Sequence, residues 1–264
     1  MIDVHCHLNF KAFSEDYDAV IKEAQKNGVD TIINTGTSLE SSERAMELAE
    51  KYPNLYAIVG IHPHHADKLE DGWDEKLKTI AKSSKKVLAI GEIGLDYYSY
   101  ASNGIVDPRL QKEAFIRQIE IAHELGLPLQ IHNRLAGEDI LEIINHQSSI
   151  INHGGMFHCF AGSHEVREKA LELGFYLGFD GNSTYEGIAK GESVPLPQHI
   201  EKTPIERILT ETDSPYLTPE PDRGSRNTPS HVIIVGRAIA KIKGLDFSEV
   251  EAITTQNAKS LFNL

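Results

Sequence analysis

Eight short apolar runs separated by helix-forming segments restrict this chain more than any other feature. The runs lie at residues 1–7, 30–35, 55–60, 87–91, 128–131, 155–157, 175–179 and 207–210. Helical periodicity fills most intervals, at 16–27, 38–51, 107–126, 136–147, 164–173, 229–243 and 248–262. Runs of this length without a polar face are strands buried on both sides, and buried strands joined by helices are parallel. Eight of them in 264 residues predict an α/β fold, a (β/α)8 TIM barrel, regular or distorted, forming a single domain over residues 1–264. A doubly wound open sheet is the alternative, but no Gly-x-Gly-x-x-Gly follows the first strand. The stretch from Gly187 to Pro197 is the least regular and reads as a mobile lid.

Composition narrows the class. With 40% hydrophobic and 25% charged residues, a well-cored globular protein is expected. No apolar run reaches the length of a membrane span, and the N-terminus enters the first strand without a signal-peptide pattern. Two cysteines make no disulfide framework, so the expected location is the cytoplasm. A net charge of −13 argues against coating nucleic acid through a broad basic surface. It leaves room for a nuclease, because bound cations supply local positive charge.

The chemistry gathers at strand ends. His5 and His7 end the first run, Glu92 follows the fourth, His132 the fifth, His158 the sixth and Asp213 the eighth. Strict alternation would put Asp3, His5 and His7 on one face, and Ile2, Val4 and Cys6 on the other. Barrel enzymes build active sites at these C-terminal strand ends. Four imidazoles and two carboxylates suffice for two divalent ions if one carboxylate bridges. Mixed nitrogen and oxygen donors favour zinc, manganese, iron or cobalt over magnesium or calcium. Magnesium stays with zinc, manganese and cobalt among the ions to be tried. The other histidines read differently: His123, His146, His199 and His231 as surface or helix-end residues, and His64 and His65 as solvated loop residues. His153 competes with His158 for the sixth strand, and His158 is preferred because Met156 and Phe157 lead directly into it. Cys6 and Cys159 are expected as buried thiols between barrel and helices.

The chain resembles the TatD family of metal-dependent deoxyribonucleases, within the amidohydrolase-like barrels, over nearly its whole length. The likeness rests on Asp3-Val4-His5-Cys6-His7, Gly60-Ile61-His62-Pro63 and Gly91-Glu92-Ile93-Gly94-Leu95-Asp96-Tyr97. It continues through Ile131-His132-Asn133-Arg134, His158-Cys159-Phe160-Ala161-Gly162, Glu211-Thr212-Asp213-Ser214-Pro215-Tyr216-Leu217 and the segment from Arg223 to Pro229, and closes with Asn257 and Leu261-Phe262. Phe160-Ala161-Gly162 departs from the more usual Phe-Ser-Gly, and Asn133 stands where serine is common.

The resemblance implies that His5, His7, Glu92 and Asp213 hold one metal, and that Glu92, His132 and His158 hold the second with Glu92 bridging. It implies that His62 and Arg134 contact substrate phosphate. The expected reaction is hydrolysis of DNA phosphodiesters from a 3′ end of single strands by a metal-activated hydroxide, with Asp213, Glu92 and His62 as catalytic residues. DNA is the expected partner, as substrate, with no membrane and no obligate protein partner. Asp96 and Glu211 are either partners that orient ligating histidines or strand-end hydrogen-bonding groups. Tyr97, Tyr98 and Tyr100 either stack on bases or pack as ordinary loop tyrosines. The competing functions are a small-molecule amidohydrolase on the same barrel and a non-catalytic metal scaffold. Glu92, standing where such an amidohydrolase often has a carboxylated lysine, favours the nuclease.

Overall fold

The computed structural model describes residues 1–101, 104–188 and 192–264. Eight parallel strands follow one another in chain order: β1 (Ile2–Cys6), β2 (Thr31–Thr35), β3 (Leu55–Val59), β4 (Val87–Asp96), β5 (Leu129–Arg134), β6 (Gly155–Phe157), β7 (Tyr176–Phe179) and β8 (Ile208–Thr210). The ring closes where His7 N donates to Ser214 O at 2.8 Å and Thr210 Oγ1 donates to Ile2 O at 3.1 Å. Consecutive neighbours throughout, with this closure, make a (β/α)8 barrel and dispose of the doubly wound sheet, whose strand order reverses.

The helices are α1 (Tyr17–Lys26), α2 (Leu39–Lys51), α3 (Trp73–Lys82), α4 (Pro108–Leu125), α5 (Gly137–His146), α6 (His164–Glu172), α7 (Leu196–Lys202), α8 (Val232–Lys243) and α9 (Phe247–Phe262). Two of them are additions to the sequence reading. α3 carries its apolar residues at Trp73, Leu77, Ile80 and Ala81, a helical spacing masked by the charges between them. α7 has only seven residues and starts on prolines, which the first helical turn tolerates. Of the stretch read as a lid, residues 189–191 lie outside the described residues, and Leu196 onward belongs to α7.

Two apolar layers result. Ile2, Val4, Ile33, Ile58, Ala89, Met156 and Leu209 fill the barrel together with Ala258 and Phe262 of α9. The strand–helix layer holds Cys6, Ile32, Ile93 and Ile131 with the inner faces of the helices. This partition corrects the expectation for β1: Ile2 and Val4 point into the barrel, whereas Cys6 points outward. The reason is a register shift. Asp3 pairs with Ile32 and Cys6 with Asn34, so β1 spends three steps where β2 spends two. Such a bulge re-aims the side chains beyond it. Asp3 does not join His5 and His7; its carboxylate accepts from Thr212 N at 3.0 Å and Thr212 Oγ1 at 2.7 Å.

A second shift lies in β4, where Ile90 pairs with Leu129 and Ile93 with Ile131, leaving Gly91 and Glu92 between them. A Cβ on Gly91 would stand 2.6 Å from Gln130 Cβ, and one on Gly94 would stand 2.1 Å from His132 O. Both glycines of the Gly-Glu-x-Gly motif are therefore required by close strand approach.

Candidate metal centre

The C-terminal ends of β1, β4, β5, β6 and β8 converge on Glu92, which is buried. Its two oxygens face different partners. Oε1 lies 2.7 Å from His158 Nε2 and 2.9 Å from His132 Nδ1. Oε2 faces His7 Nε2 at 3.7 Å and His5 Nε2 at 3.8 Å. Asp213 Oδ1 completes the latter group at 3.3 Å from His7 Nε2 and 3.4 Å from His5 Nε2. The six residues singled out at strand ends thus form one cluster.

Hydrogen bonds behind the rings assign their protons. Gln130 Nε2 donates to Val4 O, so its Oε1 must accept the proton of His5 Nδ1 at 2.8 Å. His7 Nδ1 donates to the Thr35 carbonyl at 2.9 Å. Each ring thus turns its Nε2 toward the carboxylates, and the two Nε2 atoms lie 3.0 Å apart. His132 reverses this arrangement: Nε2 donates to Asp96 Oδ2 at 3.1 Å, and Nδ1 points at Glu92. Imidazole nitrogens and carboxylate oxygens converge here at 2.7–3.8 Å, and this donor type with back-side hydrogen bonds on His5, His7 and His132 matches a transition-metal site. Among the described residues, His5, His7 and Glu92 form a set able to ligate one ion, as do His5, His158 and Asp213.

The electrostatics agree with this chemistry. Burial would raise the carboxyl of Glu92, but His158, His62 and His132 outweigh it and hold it well below the usual range. Asp213 is likewise depressed, burial being overcome by hydrogen bonds from His5 and His7. Burial lowers His5 to about 4, so it is neutral near pH 7. Both carboxylates are therefore ionised and His5 is neutral; burial would lower His132, but Asp96 and Glu92 raise it to about 9, so a cation held at its Nδ1 would displace a proton.

His62 completes a further candidate set with Glu92 and His132, but its ring is held the other way round. Its Nδ1 accepts from His64 N at 3.1 Å, which leaves the proton of the neutral ring on Nε2, 3.4 Å from Glu92 Oε1. His62 thus presents a donor to the cavity. The Arg134 guanidinium stacks 4.4 Å from the Tyr98 ring centre and 5.6 Å from that of Tyr100. The tyrosines after β4 therefore serve this arginine, except Tyr97, whose hydroxyl donates to Asp139. All of this opens into a cavity of about 860 Å³, whose lining includes His62, Glu92, Arg134, Asp213 and Tyr216.

Several side chains depart from their sequence readings. His64 is no solvated loop residue: its Nε2 lies 3.0 Å from Asp96 Oδ2, and both line the cavity. His65 donates from Nδ1 to Thr37 O at 2.8 Å. His199 is buried, with Nε2 donating to Gly162 O. Cys159 leaves the strand–helix layer and lines the cavity, because its positive φ of 44° turns it inward beside Asn182. His153 is exposed near Gly126, whereas His158 is buried. Asp96 takes the orienting role toward His132; Glu211 accepts instead from Cys159 N. One cation of the cavity went unassigned: Arg223, 3.9 Å from the Tyr185 ring centre, appears in the sequence only as part of a motif.

Fold and site define a barrel hydrolase that depends on metal. The chain belongs to the TatD family: the model described as TatD related DNase matches residues 2–263. It is 40% identical to the metal-dependent hydrolase YabD of Bacillus subtilis (strain 168), over 100% of this chain and 99% of that protein. It is 32% identical to the 3′-5′ ssDNA/RNA exonuclease TatD of Shigella flexneri serotype 5b, covering 100% of this chain and 99% of that one. Among solved structures, YJJV, a TatD homolog from Escherichia coli K12, superposes with a TM-score of 0.91 at 29% identity, covering 100% of this chain and 98% of that one.

Proposed function

We propose that the protein is a metal-dependent deoxyribonuclease that removes nucleotides from the 3′ end of single-stranded DNA. The observation that carries this reading is the division of Glu92, whose two oxygens face separate acceptor groups inside a cavity that also holds a stacked arginine. His5, His7, Glu92 and Asp213 would hold one divalent ion, and Glu92, His132 and His158 the other. Ions bound there would lower the pKa of water toward neutrality and offset charge on the phosphoryl oxygens. Zinc, manganese and cobalt suit the donor set, and magnesium is the oxygen-preferring comparison.

The protein's own groups do the rest. Arg134, held flat by Tyr98 and Tyr100, offers a planar pair of donors to a non-bridging phosphate oxygen. His62 donates from Nε2 to a non-bridging or leaving oxygen. Asp213, kept ionised, orients the attacking water or accepts its proton. Similarity to the 3′-5′ ssDNA/RNA exonuclease TatD of Shigella flexneri supports this substrate class.

The test is hydrolysis of a 5′-labelled single-stranded oligonucleotide by metal-loaded protein, beside Asp213→Asn. The expected result is a ladder shortening from the 3′ end that the variant does not make. Absence of cleavage with bound zinc, manganese, cobalt or magnesium would reject the nuclease in favour of small-molecule amide or lactone hydrolysis.

A further inference from the structure

A second cavity, of about 330 Å³, adjoins the metal centre and shares two of its walls, Phe10 and Tyr216. Phe10 is a fixed wall: its ring lies on the His7 imidazole at 4.3 Å between centres and an interplanar angle of 10°. Tyr216 is the open one. It is 54% exposed, stands edge-on to Phe10, and is anchored three residues from Asp213 by its N–H to Asp213 O at 2.9 Å. Beyond this pair the second cavity is lined by Lys11, from the short turn after β1, and Arg44 of α2. Both are exposed, and among the described residues no carboxylate lies within 4 Å of either. Glu40 is the one acid in that lining, in a chain of net charge −13.

We infer that this cavity is a subsite for the strand upstream of the scissile bond, with phosphates on Lys11 and Arg44 and a base stacked on Tyr216. The inference rests on the nuclease reading above. A ligand reaching from the metal centre into this space must pass an exposed aromatic ring and then meet two free cations. Alternating flat bases and anionic phosphates match that order, and stacking on an aromatic ring tolerates any base. A small amide or lactone has no group to place there.

The experiment compares kcat/KM on a twelve-residue oligothymidylate with that on the p-nitrophenyl ester of thymidine 5′-monophosphate, which has one phosphodiester. For Lys11→Gln with Arg44→Gln, the ratio of the two values falls tenfold or more, through KM of the oligonucleotide. The slope of log affinity against log salt becomes shallower by about 1.4, the value for two lost single-strand phosphate contacts. Tyr216→Ala weakens the oligonucleotide likewise, and Tyr216→Phe restores it. Anisotropy of labelled oligothymidylate on an Asp213→Asn background gives the same comparison without turnover. A ratio, salt slope and affinity like those of the unsubstituted protein would overturn the subsite while leaving the nuclease. Failure of the unsubstituted protein to cleave either substrate would reject the nuclease reading and the subsite with it.

Discussion

Glu92 and Asp96 stand at different places in the candidate metal centre, one between its groups and one behind His132. Glu92 joins the two acceptor groups, so Glu92→Gln should remove one negative charge from both. Metal content per chain is expected to fall, and activity to drop by about 10² or more, as dialysis with elemental analysis and steady-state rates would show. Asp96 lies behind His132 and accepts its Nε2 proton, which leaves Nδ1 as the atom that faces Glu92. Asp96→Asn should weaken metal binding by about 10–100-fold in a competitive chelator titration. His199 offers a pH-dependent change away from the centre. Burial lowers its pKa to about 4, from an ordinary value of 6.5. Between these values the unfolded chain binds the proton and the folded one does not, so the neutral ring's stability is present above 6.5 and is lost as the pH falls toward 4. At pH 5 this amounts to about 2 kcal/mol. His199→Gln keeps an N–H for Gly162 O without the titration, so urea unfolding should show it losing that much less stability than the native protein between pH 7.5 and 5.

β4 carries the demand that the barrel places on a single strand. All ten of its residues are buried, and its register shift frees Glu92 from the ladder to face the centre. Gly94 lets β5 come close enough to deliver His132. Gly94→Ala would drive a Cβ against His132 O, and a loss of about 1–3 kcal/mol in urea unfolding is expected from overpacking, together with weaker metal binding. Gly28 is the control, since its φ of +89° is also positive but nothing lies within 4 Å of its Cβ position. Gly28→Ala should lose only the left-handed conformational cost of about 1–2 kcal/mol and keep its metal affinity. Comparison of the two separates backbone preference from strand contact.

The barrel as a unit is closed at one end by α9, whose Ala258 and Phe262 enter its interior, and carries at the other a buried cluster of histidines and carboxylates that a cation would tie together. Metal binding should therefore add to folding stability. At a free ion concentration of about 100 times Kd the gain is about 2.7 kcal/mol. For a chain of this size that corresponds to about 5–10 °C, so chelation should lower Tm by this amount and added metal should restore it. No helix among the described residues is long and apolar enough to cross a membrane.

The order of the strands was determined by sequence alone, as was the set of residues near their C-terminal ends, although β4 and β5 run on past Glu92 and His132. Runs buried on both faces have no polar alternation, which marks parallel strands, and the residue ending each run falls on the rim where barrel sites are built. The helix at 73–82 was legible in principle through Trp73, Leu77, Ile80 and Ala81, but its intervening charges obscured the period. What only the tertiary structure decided is how side chains point. The shifts in β1 and β4 break the alternation on which facing is read, and nothing local to Asp3 or Glu92 announces a bulge. Proton positions on His5, His7, His62 and His132 depend on Gln130, Thr35, the His64 amide and Asp96. Arg223 and Lys11 acquire a place only from the walls around them. Position along a strand is a local property of the chain, whereas orientation, proton placement and shared cavities arise from contacts between segments far apart in sequence.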